Sequence, residues 1–469
     1  MKKPTANLTE SPFDFNELFF SVTDKRGVIR FGNDVFVRVS VYPKETLLNA
    51  PHSIVRHPDM PASVFKIFWD TLKKDKPICA YVKNMAGNGN YYWVFALAFP
   101  LNDGYLSIRF KPSSALFKSV QDIYSEVSNF EKTQDDLETS EKLLMNLISK
   151  AGFSDYESFM IHAAVEELNS REIQAKQLRA LAANTSSLAD RREGRSELSQ
   201  ITQITDAASA QLNDFFMRVK GFQNSNRTFT QTMETLGDGF HQLKFISLNM
   251  TIAAAKFGDV ASSLGVVSKE FSSVSDQIED HLSGLSEFIK TLAQAIQKCT
   301  LQIAALNAQM LMVDFFVKES IAKLQTSENA FAEMAENREN FSNLFRKYAS
   351  DLSKEASSLL ASLSDISYEV SEVHKFVTGL EVVRQIGAVE SARTDEIKGA
   401  FIHYLEAMNK FIQLLRNSTS TIHHEVVSLQ ENSEVIVSSV NTLSSSVEAI
   451  FGLASAFGQK EELPKVANN

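Results

Sequence analysis

Proline is absent from most of this chain. Nine of its ten prolines lie at or before Pro112, the tenth is Pro464, and the 351 residues between them hold none. Because proline removes a backbone donor and disfavours a helix interior by ~3 kcal/mol, such a stretch is what long helices require. Cysteine is equally scarce: Cys79 and Cys299 lie far apart in sequence, which excludes a disulfide framework and cysteine-based metal clusters and suits a reducing compartment. No run approaches the ~18 to 20 consecutive apolar residues of a membrane-spanning helix, and the start, MKKPTANLTESPFDF, has no apolar segment typical of a secretory signal. The expectation is a soluble cytoplasmic protein with no membrane span. Both tryptophans, Trp69 and Trp93, fall in the proline-containing part.

What is present is ordinary globular composition: 469 residues, 44% hydrophobic and 22% charged, with room for two to four domains of ~100 to 200 residues. Charge divides where proline does. Residues 1–112 hold 15 Lys+Arg against 10 Asp+Glu, net +5, so the rest of the 47 and 57 leaves 32 against 47, net −15. An acidic body argues against nucleic acid, whose phosphates need clustered cations.

The leading segment alternates strands and short helices. Leu18–Val22 and Val28–Phe31 read as a hairpin around Thr23-Asp24-Lys25-Arg26-Gly27. Val35–Val39 and Lys44–Leu48 read as short helices, with Asn33 or Asp34 as a cap. Val64, Phe65, Phe68, Trp69 and Leu72 recur at helical spacing just after Pro61. Tyr81–Asn84, Tyr91–Phe99 and Tyr105–Phe110 then read as strands joined by Gly-Asn turns. The prediction is an α+β domain, one antiparallel sheet with small helices on one face.

The run Val55-Arg56-His57-Pro58-Asp59-Met60-Pro61, then Phe65, Trp69 to Lys74, Val82-Lys83-Asn84, Asn88-Gly89 and Tyr92-Trp93-Val94, resembles the PAS sensor domain of bacterial aerotaxis (energy-taxis) receptors over most of residues 17–112. That family binds FAD non-covalently. Carried over by position, the resemblance implies FAD contacts at Asn33, Arg56, His57, Asp59, Trp69 and Asn84. The chemistry is compatible: arginine can pair with a pyrophosphate, aspartate and asparagine can bond ribose or ring edges, and tryptophan can pack on a ring system. Ile78 stands where family members often carry a second tryptophan. Other readings stay open. His57 could simply cap a loop, Trp69 and Trp93 could be core, and haem is the alternative cofactor, ligated through His52 or His57. The Gly87-Asn88-Gly89-Asn90 run lacks the lysine and third glycine of a phosphate loop.

The body carries heptad seams. One is Leu264, Val267, Phe271, Val274, Ile278, His281, Leu285, Phe288, Leu292, Ala295 and Cys299. Another runs from Leu352 through Leu363 and Val373 to Leu380, and a third from Ile422 through Ser433 to Ile450. Steps of three and four with polar residues between them predict long antiparallel helices in a coiled-coil bundle. His281 on a seam reads as a bundle residue, because no second ligand lies one turn away. The adjacent His423 and His424 point apart on a helix.

Residues 245–259 (FISLNMTIAAAKFGD) and 264–271 (LGVVSKEF) resemble the hairpin tip of methyl-accepting chemotaxis receptor signalling domains. The resemblance implies receptor clustering, a coupling adaptor and a chemotaxis histidine kinase as partners. The matching positions are Leu248, Asn249, Ile252, Lys256, Gly258, Asp259, Val266 and Val267. Ala253 and Ser262 replace a glutamate and an arginine usual there. Near Thr394-Asp395 the heptads converge again, on either a second hairpin or an interrupted straight helix.

The resulting division is a tail at 1–16, a PAS sensor domain at 17–112 and a helical linker at 113–195, led directly from Ser114 and broken at Arg191-Arg192-Glu193-Gly194-Arg195. A helical hairpin follows at 196–345 with its tip near 258, then a second helical pair at 346–458 and a tail at 459–469. Two functions compete: a homodimeric or clustered redox, oxygen or energy sensor whose bundle is read by a kinase, and a PAS-dimerised helical scaffold without kinase coupling. No acid–base pair or phosphotransfer signature suggests an enzyme.

Overall fold

The computed structural model describes residues 4–134, 136–185, 196–323 and 330–462. The expected hairpin forms from β1 (Leu18–Asp24) and β2 (Ile29–Gly32). The Asp24 carboxylate closes its turn by accepting from the backbone N–H groups of Arg26 and Val28, each at 2.9 Å. Gly27 adopts φ 78°, where a side chain would be strained, and a Cβ there would lie 3.0 Å from the Trp69 ring. Then come α1 (Asp34–Ser40), α2 (Lys44–Leu47), a 3-10 turn at His52–Val55, and α3 (Ala62–Leu72). Three strands follow: β3 (Ile78–Met85), β4 (Tyr91–Pro100) and β5 (Gly104–Phe110). The sheet is antiparallel throughout in the order β2-β1-β5-β4-β3. An α+β domain with long helices after it is therefore the observed fold class.

After the sheet, the direct helical lead expected from Ser114 is instead three helices, α4 (Leu116–Thr133), α5 (Leu137–Lys150) and α6 (Tyr156–Thr185). Asp136 caps α5 by accepting from Glu138 and Thr139, and Gly152 at φ 97° reverses the chain before α6. The Arg191–Arg195 break lies outside the described residues.

These helices fold back on the sheet because buried polar groups tie them there. Glu167 of α6 is fully buried and accepts from Tyr81 Oη at 2.8 Å, from the Ser113 and Ser114 backbone nitrogens at 2.7 and 3.2 Å, and from both serine hydroxyls. Arg171 donates to the carbonyls of Phe15 and Asn16 and stacks on Phe15 and Phe110.

The body forms α7 (Ser196–Lys256), α8 (Ser262–Lys323), α9 (Ala330–Ser391) and α10 (Asp395–Glu462). The chain divides into two compact units, one of Met1–Phe216, Thr300–Asp351 and Val440–Asn469, the other of Met217–Cys299 and Leu352–Ser439.

In the first unit the sheet face turned away from α3 is covered by the chain's own helices. Phe20 and Phe31 meet Phe316 with ring centroids 5.5 and 6.0 Å apart, Phe20 meets Phe341 at 6.0 Å, and Phe99 meets Tyr348 at 5.4 Å. Lys323 and Asp34 pair at 2.8 Å beside them.

The second unit is an antiparallel four-helix bundle closed within one chain. Lys244 of α7 pairs with Glu279 of α8, His281 of α8 with Glu369 of α9 at 2.7 Å, and the Ser225 hydroxyl of α7 donates to Glu425 of α10. A Cβ at Gly387 of α9 would meet Leu405 of α10 at 3.0 Å, so the bend at 392–394 is a second hairpin and not an interrupted straight helix. Among the described residues the first helix of that hairpin runs from Ala330 to Ser391. Seam residues Leu352, Leu359, Leu363, Val373, Val377 and Leu380 are all buried, as are Ile422, Val426, Ser433 and Ile436.

Two helical stretches, in Gly258–Lys323 and Asp395–Ala456, reach mean hydropathies of 1.4 and 1.2, long and apolar enough by composition to cross a membrane. In the first, 72% of that window is buried inside the protein, so packing accounts for its apolar character.

Candidate functional site

Strand alternation builds the site's floor. On the face toward α3, β5 presents Tyr105, Ser107 and Arg109, β4 presents Ala96 and Ala98, β3 presents Val82 and Asn84, and β1 presents Thr23. The alanines at the sheet's centre leave room where larger side chains would fill it. With α3 and the 51–56 segment as walls, the result is a cavity of about 560 Å³, within the range of small-molecule and cofactor sites. Phe65, Phe68 and Trp69 give it an aromatic wall. Trp69 packs edge-on against Tyr105 at 5.7 Å.

Of the six residues implied as cofactor contacts, three line this cavity and three do not. Arg56 lines it, with its guanidinium 4.6 Å from the Phe65 ring centre, and burial lowers its pKa from the ordinary arginine value. Trp69 lines it. Asn84 lines it and is 3% exposed. Asn33 instead holds the β1–α1 corner: its amide oxygen accepts from Phe20 and Phe36 nitrogens at 3.1 and 3.4 Å, and its nitrogen donates to the Leu18 carbonyl.

His57 is buried beside the cavity's lining, and its Nδ1 accepts from the Asp59 backbone nitrogen at 3.1 Å. Burial, reinforced by the Lys83 cation, lowers its pKa to about 4, so it is neutral at pH 7. Asp59 pairs with Lys83 at 3.1 Å and Lys132 at 3.0 Å; burial opposes its ionisation, but those two lysines outweigh it and bring its pKa to about 2.

His52, Ser107 and Arg109 are cavity-lining polar residues that the motif did not single out as flavin contacts. The signal for Ser107 and Arg109 was present, since Tyr105, Ser107 and Arg109 share one strand face. Arg109 is 5% exposed and donates to Ser21 Oγ at 3.0 Å and to His52 Nε2 at 2.7 Å. Because arginine only donates, His52 must carry its proton on Nδ1. Burial and the adjacent Arg109 charge hold His52 neutral, well below its ordinary pKa.

This arrangement does not fit haem. The His52 Nε2 lone pair is taken by Arg109 and the His57 Nδ1 lone pair by Asp59, and in each neutral ring the other nitrogen then carries the proton. Neither offers the cavity an imidazole nitrogen free to ligate iron. The cavity does fit a planar ring system with hydrogen-bonding edges. The aromatic wall suits the ring, Asn84 lines the cavity, and the Ser107 hydroxyl is a buried polar group without a partner among the described residues.

Behind the cavity, α3 is gripped by the linker helices. Glu131 of α4 accepts from the Ala62 and Ser63 backbone nitrogens at 2.6 and 3.0 Å, satisfying donors at the start of α3 that Pro61 has no side chain to cap. Ser140 of α5 joins the same carboxylate at 2.5 Å, and Lys66 of α3 pairs with Glu141 of α5 at 2.7 Å. One helix thus forms both a cavity wall and the contact surface for α4 and α5.

Residues 29–106 match the family described as the PAS fold. Over 126 residues, 26% of this chain and 25% of the relative, the sequence is 38% identical to the aerotaxis receptor of Escherichia coli strain K12. The leading domain is a PAS domain. The chain spans about a quarter of the length of that curated relative. Crystal structures of Vivid, one of a doubly substituted variant and one of the photo-excited blue-light photoreceptor, align at 14 and 16% identity. They cover 23% of this chain and 89 and 85% of theirs, with a TM-score of 0.18.

At the tip, Gly258 adopts φ 57° with open space around it, so its need is conformational. Leu248, Ile252 and Val266 are 57, 47 and 67% exposed, and Asn249, Lys256 and Asp259 are exposed with them, whereas Val267 is buried in the bundle. The second hairpin carries its own exposed apolar residues beside its bend, Val382, Ile386 and Val389.

Proposed function

We propose that this chain is a cytoplasmic sensory signal transducer in which FAD occupies the PAS cavity and its redox state is relayed to the helical body. The observation that carries this reading is the double role of α3. Its inner side, with Phe65 and Trp69, walls the cavity; its N-terminus and Lys66 are held by Glu131 and Glu141 of the linker helices. A change of charge or shape in the ring can bias the body only through differential contacts, and α3 is the element both sides touch. When bound, the flavin supplies the electron chemistry; Asn84 would bond a ring edge, Trp69 would pack on the ring, and Arg56 would meet the anionic tail.

The tip residues Leu248, Asn249, Ile252, Lys256, Asp259 and Val266 are offered as the surface read by a chemotaxis histidine kinase with its coupling adaptor, in a homodimer or larger receptor cluster. Loss of kinase capture in an Ile252→Asp variant that stays folded supports this; unchanged capture contradicts it.

The competing scaffold reading needs a PAS dimer interface. It is disfavoured because the sheet's outer face is already covered by Phe316, Phe341 and Tyr348 of the same chain. The deciding experiment is the absorption spectrum of the purified chain: flavin near one per chain supports the sensor, and colourless protein that still assembles supports the scaffold.

A further inference from the structure

Arg109 is a buried cation without a counter-charge. It lies on β5 at the cavity floor, 5% exposed, and none of the described carboxylates pairs with it. Of its five N–H donors, one reaches Ser21 Oγ and one reaches His52 Nε2. The guanidinium also lies over the rings of Phe36 and Phe19, 5.5 and 6.0 Å from their centres, contacts that supply no anion. Two positions earlier on the same strand face, the buried Ser107 hydroxyl has no partner among the described residues. An unpaired buried charge and an unsatisfied buried hydroxyl are both unfavourable, and both line one cavity.

We infer that Arg109, oriented by His52, and Ser107 form the polar end wall that receives the carbonyl- and nitrogen-bearing edge of the flavin ring. This rests on the flavin reading above. The ring edge suits the depth better than the diphosphate, which stays hydrated and finds Arg56 together with the exposed Arg26 and Lys73 in the lining. A fixed cation beside that edge favours the more electron-rich, reduced ring, so Arg109 raises the reduction potential as well as affinity. His52, kept neutral with Nε2 as acceptor, fixes the guanidinium plane. It is a positioning residue.

The test uses the full chain, with flavin content, the potential from dithionite titration, and thermal stability of flavin-depleted protein. Wild-type protein carrying no flavin would overturn the underlying function, not this wall specifically. Given flavin in the wild type, Ser107→Ala is expected to weaken FAD binding about 3- to 10-fold without lowering the apo melting temperature, since it removes an unsatisfied group. Arg109→Met is expected to weaken binding by at least about 10-fold, lower the potential and leave apo stability equal or higher. Arg109→Lys keeps the charge and should hold the potential closer to wild type. Unchanged affinity in Ser107→Ala and unchanged affinity and potential in Arg109→Met, whatever the apo melting temperatures, would show that these residues do not meet the ring and overturn the inference.

Discussion

The carboxylate of Glu131 lies 3.0 Å from both the backbone nitrogen and the hydroxyl of Ser63, so a residue of α4 caps a helix that walls the cavity. Burial opposes ionisation of Glu131, but hydrogen bonds from Ser140, Ala62 and Ser63 prevail and lower its pKa. Glu131→Ala should destabilise the first unit by about 1–2 kcal/mol, the usual loss of a cap, read by urea unfolding. It should leave flavin content intact, because Glu131 does not line the cavity. Loss of flavin with unchanged stability would contradict this division of roles.

His57 is buried neutral with its pKa lowered to about 4 by desolvation and the Lys83 charge, and His52 is shifted the same way. Between pH 6.5 and about 4 the unfolded chain binds protons that the native state refuses. Stability is therefore fully present above roughly pH 6.5 and falls as the solution is acidified toward 4, by up to about 1.4 kcal/mol per pH unit for each histidine. His57→Gln should flatten that slope in urea titrations at stepped pH; an unchanged slope would show that His57 titrates as an exposed group.

Glu167 gathers Tyr81, Ser113 and Ser114 at the exit of the sheet. Glu167→Ala should cost about 3 kcal/mol or more, since several buried donors lose their acceptor at once. Glu166→Ala, one residue earlier and exposed, should stay within about 0.5 kcal/mol. Comparable losses from both would contradict the buried network.

Two glycines should respond with opposite signs. Gly258 at φ 57° turns the first hairpin, so Gly258→Ala should destabilise the second unit by about 1 kcal/mol. Gly237 lies within α7 with open space at its Cβ position, so Gly237→Ala should stabilise by about 0.5–1 kcal/mol. Chemical unfolding of the two variants side by side checks both.

Local signals carried the fold far. The Asp24–Gly27 turn, the helical spacing of Val64 to Leu72 and the seams from Leu352 and Ile422 each encode their own geometry within a few residues. The cavity lining was legible where the motif coincided with an inward strand or helix position, as at Trp69 and Asn84. Asn33 and Asp59 do not line the cavity; their side chains bond Phe20 and Lys132. The folding back of α4 to α6 was invisible because its partners are remote: Lys66 with Glu141, Tyr81 with Glu167, Arg171 with Phe15. Single-chain closure of the bundle was likewise hidden, since heptads specify a seam and not which chain supplies the neighbour.

The most direct measurement is hydrogen–deuterium exchange of the full chain with its flavin oxidised and then reduced under anaerobic conditions. The account predicts altered protection in α3, in the facing parts of α4 and α5, and in residues beyond them in the helical body. Identical exchange throughout in a chain that demonstrably holds flavin would contradict it.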